Sequence, residues 1–279
     1  MTFVKITEEP SPYGDLEKKT TRELLEEMHV ENGKVIAAVQ RVLPQIEELV
    51  DRIVPRMRQG GRLFYLGAGT SGRLGVLDAS EIPPTFGMSP TCVVGLIAGG
   101  DAALRASVEH AEDDAEQGWK DLLQHRINLL DTLVGIAASG TTPYVTGALR
   151  AARAHGILTA VITGNPGSPA ADLADIPLEV IVGPEYLTGS SRMKSGTGQK
   201  LILNMISTAV MIKLGRVKGN RMVHMRLSNR KLVDRGVRML VEALDISHEQ
   251  ARSLLSLHGS VRQAMERFKE NDEMKKRDV

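Results

Sequence analysis

The sequence has 279 residues, a formal net charge of +1 and 25% charged residues, so electrostatics give no reason to expect binding to nucleic acid or to an anionic membrane. A single cysteine excludes an intramolecular disulfide, and the seven histidines are scattered, so we expect no metal site. No apolar run approaches the roughly 20 residues of a membrane span, and the first residues lack a signal-peptide pattern. We therefore expect a cytoplasmic globular protein.

The first part of the chain predicts an arm followed by helices. Residues 1–20 are polar and include Pro10 and Pro12, which favours irregular structure. Apolar residues recur at helical spacing over residues 21–59. The glycines of "QGG" at 59–61 are typical of a helix C-terminus.

From residue 62 onward, short β-rich apolar runs alternate with helical segments. The runs are 62–66, 91–97, 132–137, 157–163 and 178–182. Continuous apolar runs separated by helices indicate parallel strands that are buried on both faces. We predict an α/β fold with a five-stranded parallel sheet between helices. A long apolar helix over 192–215 and further helices over 228–270 should follow.

A glycine-rich motif follows the first run. Gly67, Gly69 and Gly72 have G-x-G-x-x-G spacing, which suggests a dinucleotide site. Such a site needs an acidic residue about 20 positions further on, at the end of the second strand. Glu81 comes too early and Asp101 too late, so we disfavour a dinucleotide. A purely structural alternative is that the glycines only permit a tight turn.

Three turns rich in Ser and Thr follow predicted strands. They are "GAGTSG" at 67–72, "ASGTTP" at 138–143 and "TGSSRMKSGTG" at 188–198. Ligands of open parallel sheets bind beyond the carboxyl ends of the strands. Each turn can offer backbone N–H groups at a helix N-terminus together with hydroxyl donors. This combination favours a phosphate monoester, and the structural alternative explains one such loop better than three.

Two acidic segments could supply acid–base chemistry. Glu81 stands just before Pro83 and Pro84, which we expect to end a helix and leave the carboxylate at a rim. Glu109 and Glu112 would share one face of a helix at i, i+3 spacing. The alternative for this acidic run is a solvated helix face. Two carboxylates beside a bound sugar phosphate would give one acid and one base.

Several long stretches closely resemble a known family. These are "LGAGTSGRLGVLDASEIPPTFG", "VEHAEDDAEQG", "GIAASGTTPYVTGAL" and "TGSSRMKSGTGQKLILNMIST", and the family is that of the N-acetylmuramic acid 6-phosphate etherases, in the sugar isomerase (SIS) superfamily. The resemblance implies an arm and helices over 1–56, an SIS sugar-phosphate-binding domain over 57–220 and a helical region over 221–279. It also implies a homodimer that uses no cofactor and no metal.

The reaction implied by this resemblance is cleavage of the D-lactyl ether at C3 of N-acetylmuramic acid 6-phosphate. The products are N-acetylglucosamine 6-phosphate and D-lactate, and the pathway is cell-wall amino sugar recycling. The matched motifs assign Glu112 as the base that removes the C2 proton and Glu81 as the acid that protonates the lactyl oxygen. They assign the substrate contacts to Gly69, Thr70, Ser71, Ser139, Gly140, Thr141, Ser190 and Ser191.

Two other functions share these phosphate loops. One is a regulator that binds sugar phosphates without chemistry, and the other is a sugar-phosphate isomerase. A pure binder does not require the glutamate pair, and an isomerase needs no acid directed at a C3 substituent. One departure from the family pattern is His224, which stands where the etherases commonly have Asp.

Overall fold

The N-terminal segment is irregular except for two short 3-10 turns. The computed structural model describes residues 3–108, 110–225, 227 and 230–277. The turns are Ile6–Glu8 and Leu16–Lys18. The first helix then begins at Thr21; the hydroxyl of the residue before it, Thr20, caps the helix, and Thr20 forms a capping box with Glu23. The structure therefore has the predicted arm and the predicted start of the helices.

Two consecutive helices follow the arm. Helix α1 spans Thr21–Arg41 and α2 spans Leu43–Arg58. The break falls at Val42, and Pro44 occupies the first turn of α2, where its missing N–H is not needed. Helix α2 buries an apolar stripe at helical spacing, namely Ile46, Leu49, Val50, Ile53, Val54 and Met57.

The centre of the fold is a five-stranded parallel sheet. The strands are β1 Leu63–Gly67, β2 Val93–Ile97, β3 Thr132–Ile136, β4 Leu158–Thr163 and β5 Ile176–Glu179, in the order β2-β1-β3-β4-β5. All five predicted strands are confirmed, although β5 begins two residues before the predicted run. The chain leaves β1 towards one edge and β3 towards the other. The last residue of β1, Gly67, is level with Ile97 and Ile136, so the ends of β1 and β3 form a switch point of the kind where ligands bind.

Helices cover both faces of the sheet. They are α3 Gly69–Phe86, α4 Gln117–Gln124, α5 Pro143–Ala154, α6 Pro169–Leu173 and α7 Lys194–Lys213, with a 3-10 turn at Gly100–Leu104. Phe64 and Leu66 point to one face and join a buried core with Tyr144 and Leu149 of α5. Tyr65 points to the other face, where α3 passes close to it at Gly75.

The last part of the chain forms a small helical bundle. It contains α8 Arg230–Leu244, α9 His248–His258 and α10 Val261–Arg277. Val237, Leu240, Leu255 and Val261 are buried in its own core. Contacts within the chain define two compact units, which are Met1–Ser80 with Thr91–Val210, and Glu81–Pro90 with Met211–Val279.

Helix α3 is longer than its prolines suggest. It continues through Pro83 and Pro84 and ends at Phe86, so the prediction that it ends near Glu81 is wrong. Ile82 and Phe86, one turn apart, are 2% and 6% exposed. We attribute the extra turn to this burial, which outweighs the two N–H groups that the prolines lack.

The acidic segment before α4 is not helical. Residues 110–116 form turns, and α4 begins only at Gln117. Glu109 lies outside the described residues, so the helical face predicted for it and Glu112 finds no support in the described part. The carboxylate of Asp114 accepts hydrogen bonds from the backbone N–H groups of Glu116 and Gln117. This local bonding competes with helix formation until α4 starts.

Candidate active site

A polar cavity of about 370 Å³ lies at the carboxyl ends of β1 and β3. Seven of the ten predicted site residues line it, namely Gly69, Thr70, Ser71, Glu112, Ser139, Thr141 and Ser191. The arm contributes Glu8, the acidic segment Asp113, and the start of α5 Thr142 and Pro143. The fold therefore brings residues from all three predicted loops into one wall.

The N-terminus of α3 forms one part of the cavity wall. The turn from β1 is so tight that a Cβ on Gly72 would lie 2.6 Å from the Gly67 carbonyl oxygen. Gly69 has a φ of +52°, which favours glycine. Among the described residues, no backbone carbonyl accepts from the N–H groups of Gly69, Thr70 or Ser71. N–H groups without an acceptor at a helix N-terminus, together with the helix dipole, favour an anionic ligand.

The loop between β3 and α5 adds hydroxyl groups. The backbone N–H and the hydroxyl of Thr141 both lie 3.2 Å from Ser139 Oγ. Gly140 is not a lining residue. With a φ of +68° it forms the turn, and a Cβ there would collide with Ser168. Its contribution is therefore the shape of the loop that carries Ser139 and Thr141.

The loop between β5 and α7 differs from its prediction. The backbone N–H groups of Lys194 and Ser195 each donate to a carboxylate oxygen of Glu185, at 2.9 Å. Glu185 is fully buried, so the N-terminus of α7 already holds an anion of the protein. The expectation that this helix start offers free N–H groups is wrong for these two. Ser191 lines the cavity, whereas the backbone of Ser190 closes the preceding turn.

Glu112 is exposed at the cavity wall, and its backbone is fixed. Its carbonyl oxygen accepts a 3.0 Å hydrogen bond from the N–H of Tyr144 in the first turn of α5. The carbonyl of Ala115 lies so close to Gly147 that no Cβ would fit there. The acidic segment is thus packed on α5, which holds Glu112 in the same cavity as the loops that follow β1 and β3.

Glu81 lies on α3 with an exposed side chain. It belongs to the second compact unit, and it is outside the set of residues that line the cavity of the first unit. Its predicted role as the acid is a separate proposal, argued below.

Comparisons with known proteins decide the family. The family model of the glucokinase regulatory protein N-terminal SIS domain matches residues 45–153, and that of the SIS domain matches residues 110–209. The N-acetylmuramic acid 6-phosphate etherase of Bacteroides fragilis is 67% identical over 96% of this chain and 95% of its own length. That of Porphyromonas gingivalis is 69% identical over 96% of this chain and 98% of its own length. The chain belongs to the N-acetylmuramic acid 6-phosphate etherase family.

Solved structures support the same fold for this member of the etherase family. A phosphoheptose isomerase from Francisella tularensis aligns with a TM-score of 0.55 at 16% identity, covering 70% of this chain and all of that one. At this identity the likeness shows a shared SIS fold. The predicted α/β architecture and the resemblance stated from the sequence are both confirmed.

Several groups at or beside the cavity are not among the predicted site residues. Glu8 comes from the arm, where nothing but a polar composition could have pointed to it. Gln199 of α7, 3% exposed, does not line the cavity, but it accepts a 2.9 Å hydrogen bond from the hydroxyl of Ser71, which does. Asp113 and Thr142 also line the cavity; both lie inside motifs that the sequence singles out, but neither is among the predicted site residues.

The described part of the chain has neither a metal cluster nor a membrane-spanning helix. No group of three or more His, Cys, Asp or Glu side chains is placed to hold a metal ion. None of the helices there combines the length and the apolar character that crossing a membrane requires.

Proposed function

We propose that this protein cleaves the D-lactyl ether of N-acetylmuramic acid 6-phosphate, giving N-acetylglucosamine 6-phosphate and D-lactate. The observation that carries the proposal is one cavity that combines the open N-terminus of α3 with the carboxylate of Glu112. The names of relatives at 67% and 69% identity support the same reaction. A small sugar phosphate also suits the volume of about 370 Å³.

The phosphate would bind at the N-terminus of α3. The N–H groups of Gly69, Thr70 and Ser71 would donate to its oxygens, and the hydroxyls of Ser139 and Thr141 would complete the set. Hydrogen bonds to a charged group each contribute about 1.5–3 kcal/mol. Most of the binding energy would therefore come from groups that do not react.

The chemistry would use two carboxylates. In the open-chain sugar the C2 proton is acidic because it is adjacent to the aldehyde carbonyl. Glu112 would remove it, and Glu81 would protonate the lactyl oxygen as the C3–O bond breaks. Water would then add to the unsaturated aldehyde. Without protonation the lactyl alkoxide is a poor leaving group, so the acid has a defined task.

The first test is incubation with N-acetylmuramic acid 6-phosphate and measurement of D-lactate. The unphosphorylated sugar is the matched substrate control and should react poorly, because it lacks the group that the α3 N-terminus binds. Equal rates with both sugars would contradict the phosphate assignment. No lactate from the phosphorylated sugar would refute the proposed function.

Substitution of the two glutamates should impair different steps of the reaction. In D₂O, Glu81→Gln should lose lactate release but keep exchange of the C2 hydrogen, because its base remains. Glu112→Gln should lose both. Each loss should be about 10²–10⁴-fold, the usual contribution of a general acid or base. Mass spectrometry of recovered substrate beside a lactate assay measures both quantities.

Glu116→Gln is the control for this pair. Glu116 lies in the same acidic segment, is exposed and pairs with Lys120 outside the cavity, so its variant should behave as wild type. Exchange that persists in Glu112→Gln and disappears in Glu81→Gln would reverse the two roles. Near-normal release by both variants would exclude the carboxylate mechanism.

A second candidate is a sugar-phosphate-binding regulator without catalysis. The match of residues 45–153 to the glucokinase regulatory protein domain favours it. It predicts binding of N-acetylmuramic acid 6-phosphate with neither lactate release nor C2 exchange. The assays above therefore separate it from the etherase.

We further propose a homodimer that needs neither metal nor nicotinamide cofactor. Sedimentation velocity should give twice the mass of one chain, and EDTA should leave the lactate rate unchanged. A monomer at assay concentration would contradict the first part. A rate lost in EDTA and restored by a divalent ion would contradict the second.

A further inference from the structure

The N-terminal arm is anchored at the cavity by a buried pair of residues. The backbone N–H of Thr7 donates to Asn165 Oδ1 at 3.1 Å, and Asn165 Nδ2 donates to the Thr7 hydroxyl at 2.9 Å. Thr7 is 1% exposed and Asn165 is fully buried. Two mutual hydrogen bonds between buried groups fix the position of residue 7, and the next residue, Glu8, lines the cavity.

The same asparagine holds a loop of the site. Asn165 Nδ2 also donates to the backbone carbonyl of Ser139 at 2.9 Å. Asn165 follows the end of β4, and Ser139 belongs to the loop after β3. One side chain therefore sets the distance between the arm and the hydroxyl-bearing loop.

A second anchor places the arm on the turn that carries Ser191. The N–H of Ser11 donates to the Thr188 hydroxyl at 2.9 Å. Gly189 has a φ of +73°, and Glu8 Oε2 lies 3.3 Å from the position where its Cβ would be. The lack of a side chain at Gly189 thus leaves room for the carboxylate of Glu8.

We propose that Glu8 is a specificity-determining residue that binds the sugar part of the substrate, and that Thr7 and Asn165 are positioning residues for it. The inference rests on the proposed function of the cavity. An ionised carboxylate only accepts hydrogen bonds, and it repels a phosphate held nearby. Glu8 therefore works against bare phosphate, whereas the O–H and N–H groups of an amino sugar are suitable donors to it. The arm lets the site prefer a sugar phosphate to phosphate alone.

The test measures two constants that should move in opposite directions. These are KM for N-acetylmuramic acid 6-phosphate and the inhibition constant of inorganic phosphate. Glu8→Ala should raise KM about tenfold or more, because a hydrogen bond to a charged group is lost. It should lower the inhibition constant of phosphate several-fold, because a repulsive charge is removed. Glu8→Gln keeps one acceptor, so its KM should lie between wild type and Glu8→Ala.

Glu9→Gln is the matched control. Glu9 is exposed, adjacent in sequence and outside the cavity lining, so neither constant should change by more than about twofold. Thermal unfolding of each variant shows whether the fold is intact.

Thr7→Val tests the anchor. Valine fills the same volume but cannot accept from Asn165, and the bond from Asn165 to Ser139 remains possible. KM should rise and the phosphate constant should fall, as in Glu8→Ala. The double variant should be no worse than the single ones, because both act through one carboxylate.

The outcomes separate this inference from the proposed function. No lactate from wild type refutes the function itself. Lactate from wild type, with KM unchanged in Glu8→Ala, overturns the role of Glu8. A rise of both constants in Glu8→Ala would mean that the phosphate loops were disturbed, and would also overturn it. If Thr7→Val does not fold, the two Glu8 variants still decide.

Discussion

The N-termini of α3 and α7 look alike in sequence and differ in structure. Both start in Gly-, Ser- and Thr-rich stretches that follow a strand. The first N–H groups of α3, at Gly69, Thr70 and Ser71, have no backbone acceptor among the described residues. Those of α7, at Lys194 and Ser195, are bound to the protein's own carboxylate. The positive end of the helix dipole is thus available to a ligand in α3, whereas in α7 a carboxylate of the protein neutralises it.

Buried charged side chains surround the N-terminus of α7 and leave no place for a ligand there. Lys194 is 1% exposed, and its ammonium pairs with Glu31 at 2.5 Å. Burial tends to raise the pKa of Glu31, but hydrogen bonds from Lys194, Lys34 and Tyr13 hold that pKa below its usual value. The backbone N–H of the same lysine donates to the carboxylate of Glu185. The start of α7 is therefore a structural anchor, and an exchangeable ligand there would compete with it.

The largest effect on stability should come from removing the carboxylate that occupies the N-terminus of α7. Glu185→Ala leaves two buried N–H groups without an acceptor, each costing about 1–3 kcal/mol, so we expect the free energy of unfolding to fall by about 4 kcal/mol. Urea denaturation measures it. Glu47→Ala, an exposed glutamate on α2, should change it by less than about 0.5 kcal/mol.

A small carboxylate sharpens this test. Formate can occupy the space of the Glu185 carboxylate, so it should restore part of the stability of Glu185→Ala and leave wild type unchanged. If Glu185→Ala unfolds at the same urea concentration as wild type, the N–H groups of α7 have other partners and the contrast between the two helices is wrong.

The open end should respond in substrate binding as well as in stability. The Ser71 hydroxyl donates to Gln199 in this structure, and on binding we expect its proton to turn to the charged phosphate. That bond is worth about 1.5–3 kcal/mol, less the bond to Gln199 that is given up, so KM of Ser71→Ala should rise several-fold with a smaller change in kcat. The free energy of unfolding should fall by about 1–3 kcal/mol, because the side-chain oxygen of the buried Gln199 loses its donor.

Ser256→Ala is the control for Ser71. Ser256 is exposed on α9 in the second unit, and its variant should match wild type in KM. An unchanged KM in Ser71→Ala would mean that this hydroxyl does not contact the phosphate, and α3 would then contribute only its backbone N–H groups to the anion site.

The sequence predicts the strands and the loops because both depend on local patterns. Continuous β-rich runs mark buried parallel strands wherever they occur, and ligand loops must follow them. The spacing of Gly67, Gly69 and Gly72 correctly indicates a tight turn. It does not identify the ligand, since close backbone packing requires Gly67 and Gly72 whatever binds there.

Other features depend on contacts between distant parts of the chain. The Glu185 carboxylate occupies the N-terminus of α7 because the fold buries it there. Glu8 lies at the cavity because Thr7 binds Asn165, which is 158 residues away. The extension of α3 past two prolines depends on the burial of Ile82 and Phe86. Local preference favours the opposite in that case, and tertiary packing overrides it.

The C-terminal end of α7, in the second unit, is a third helix end to compare with the two N-termini. After Lys213 the chain turns at Gly215, whose φ is +76°. His224, predicted only as a departure from the family pattern, lies near this end. Its Nε2 is 3.3 Å from Nη1 of Arg262. Here a titratable side chain, and not a permanent charge, meets the helix end.

Titration of His224 should give the smallest of these effects. Burial lowers its pKa below the usual 6.5, as do Arg216 and Arg262, while a hydrogen bond to Gly215 and the charge of Glu266 only partly oppose this. Between the folded and the unfolded pKa the unfolded chain binds more protons, so stability rises with pH and is lost as pH falls below about 6.5.

His224→Gln removes this contribution. Urea midpoints at pH 7.5 and 5.5 should therefore differ less in the variant than in wild type, while the other six histidines contribute equally to both. Glu266, whose pKa is lowered by its hydrogen bond with Arg262, titrates below this range and does not interfere. A larger difference in the variant would show that protonated His224 stabilises the fold. The cation would then act at the α7 C-terminus as Glu185 acts at its N-terminus, and both ends of one helix would be closed by charge.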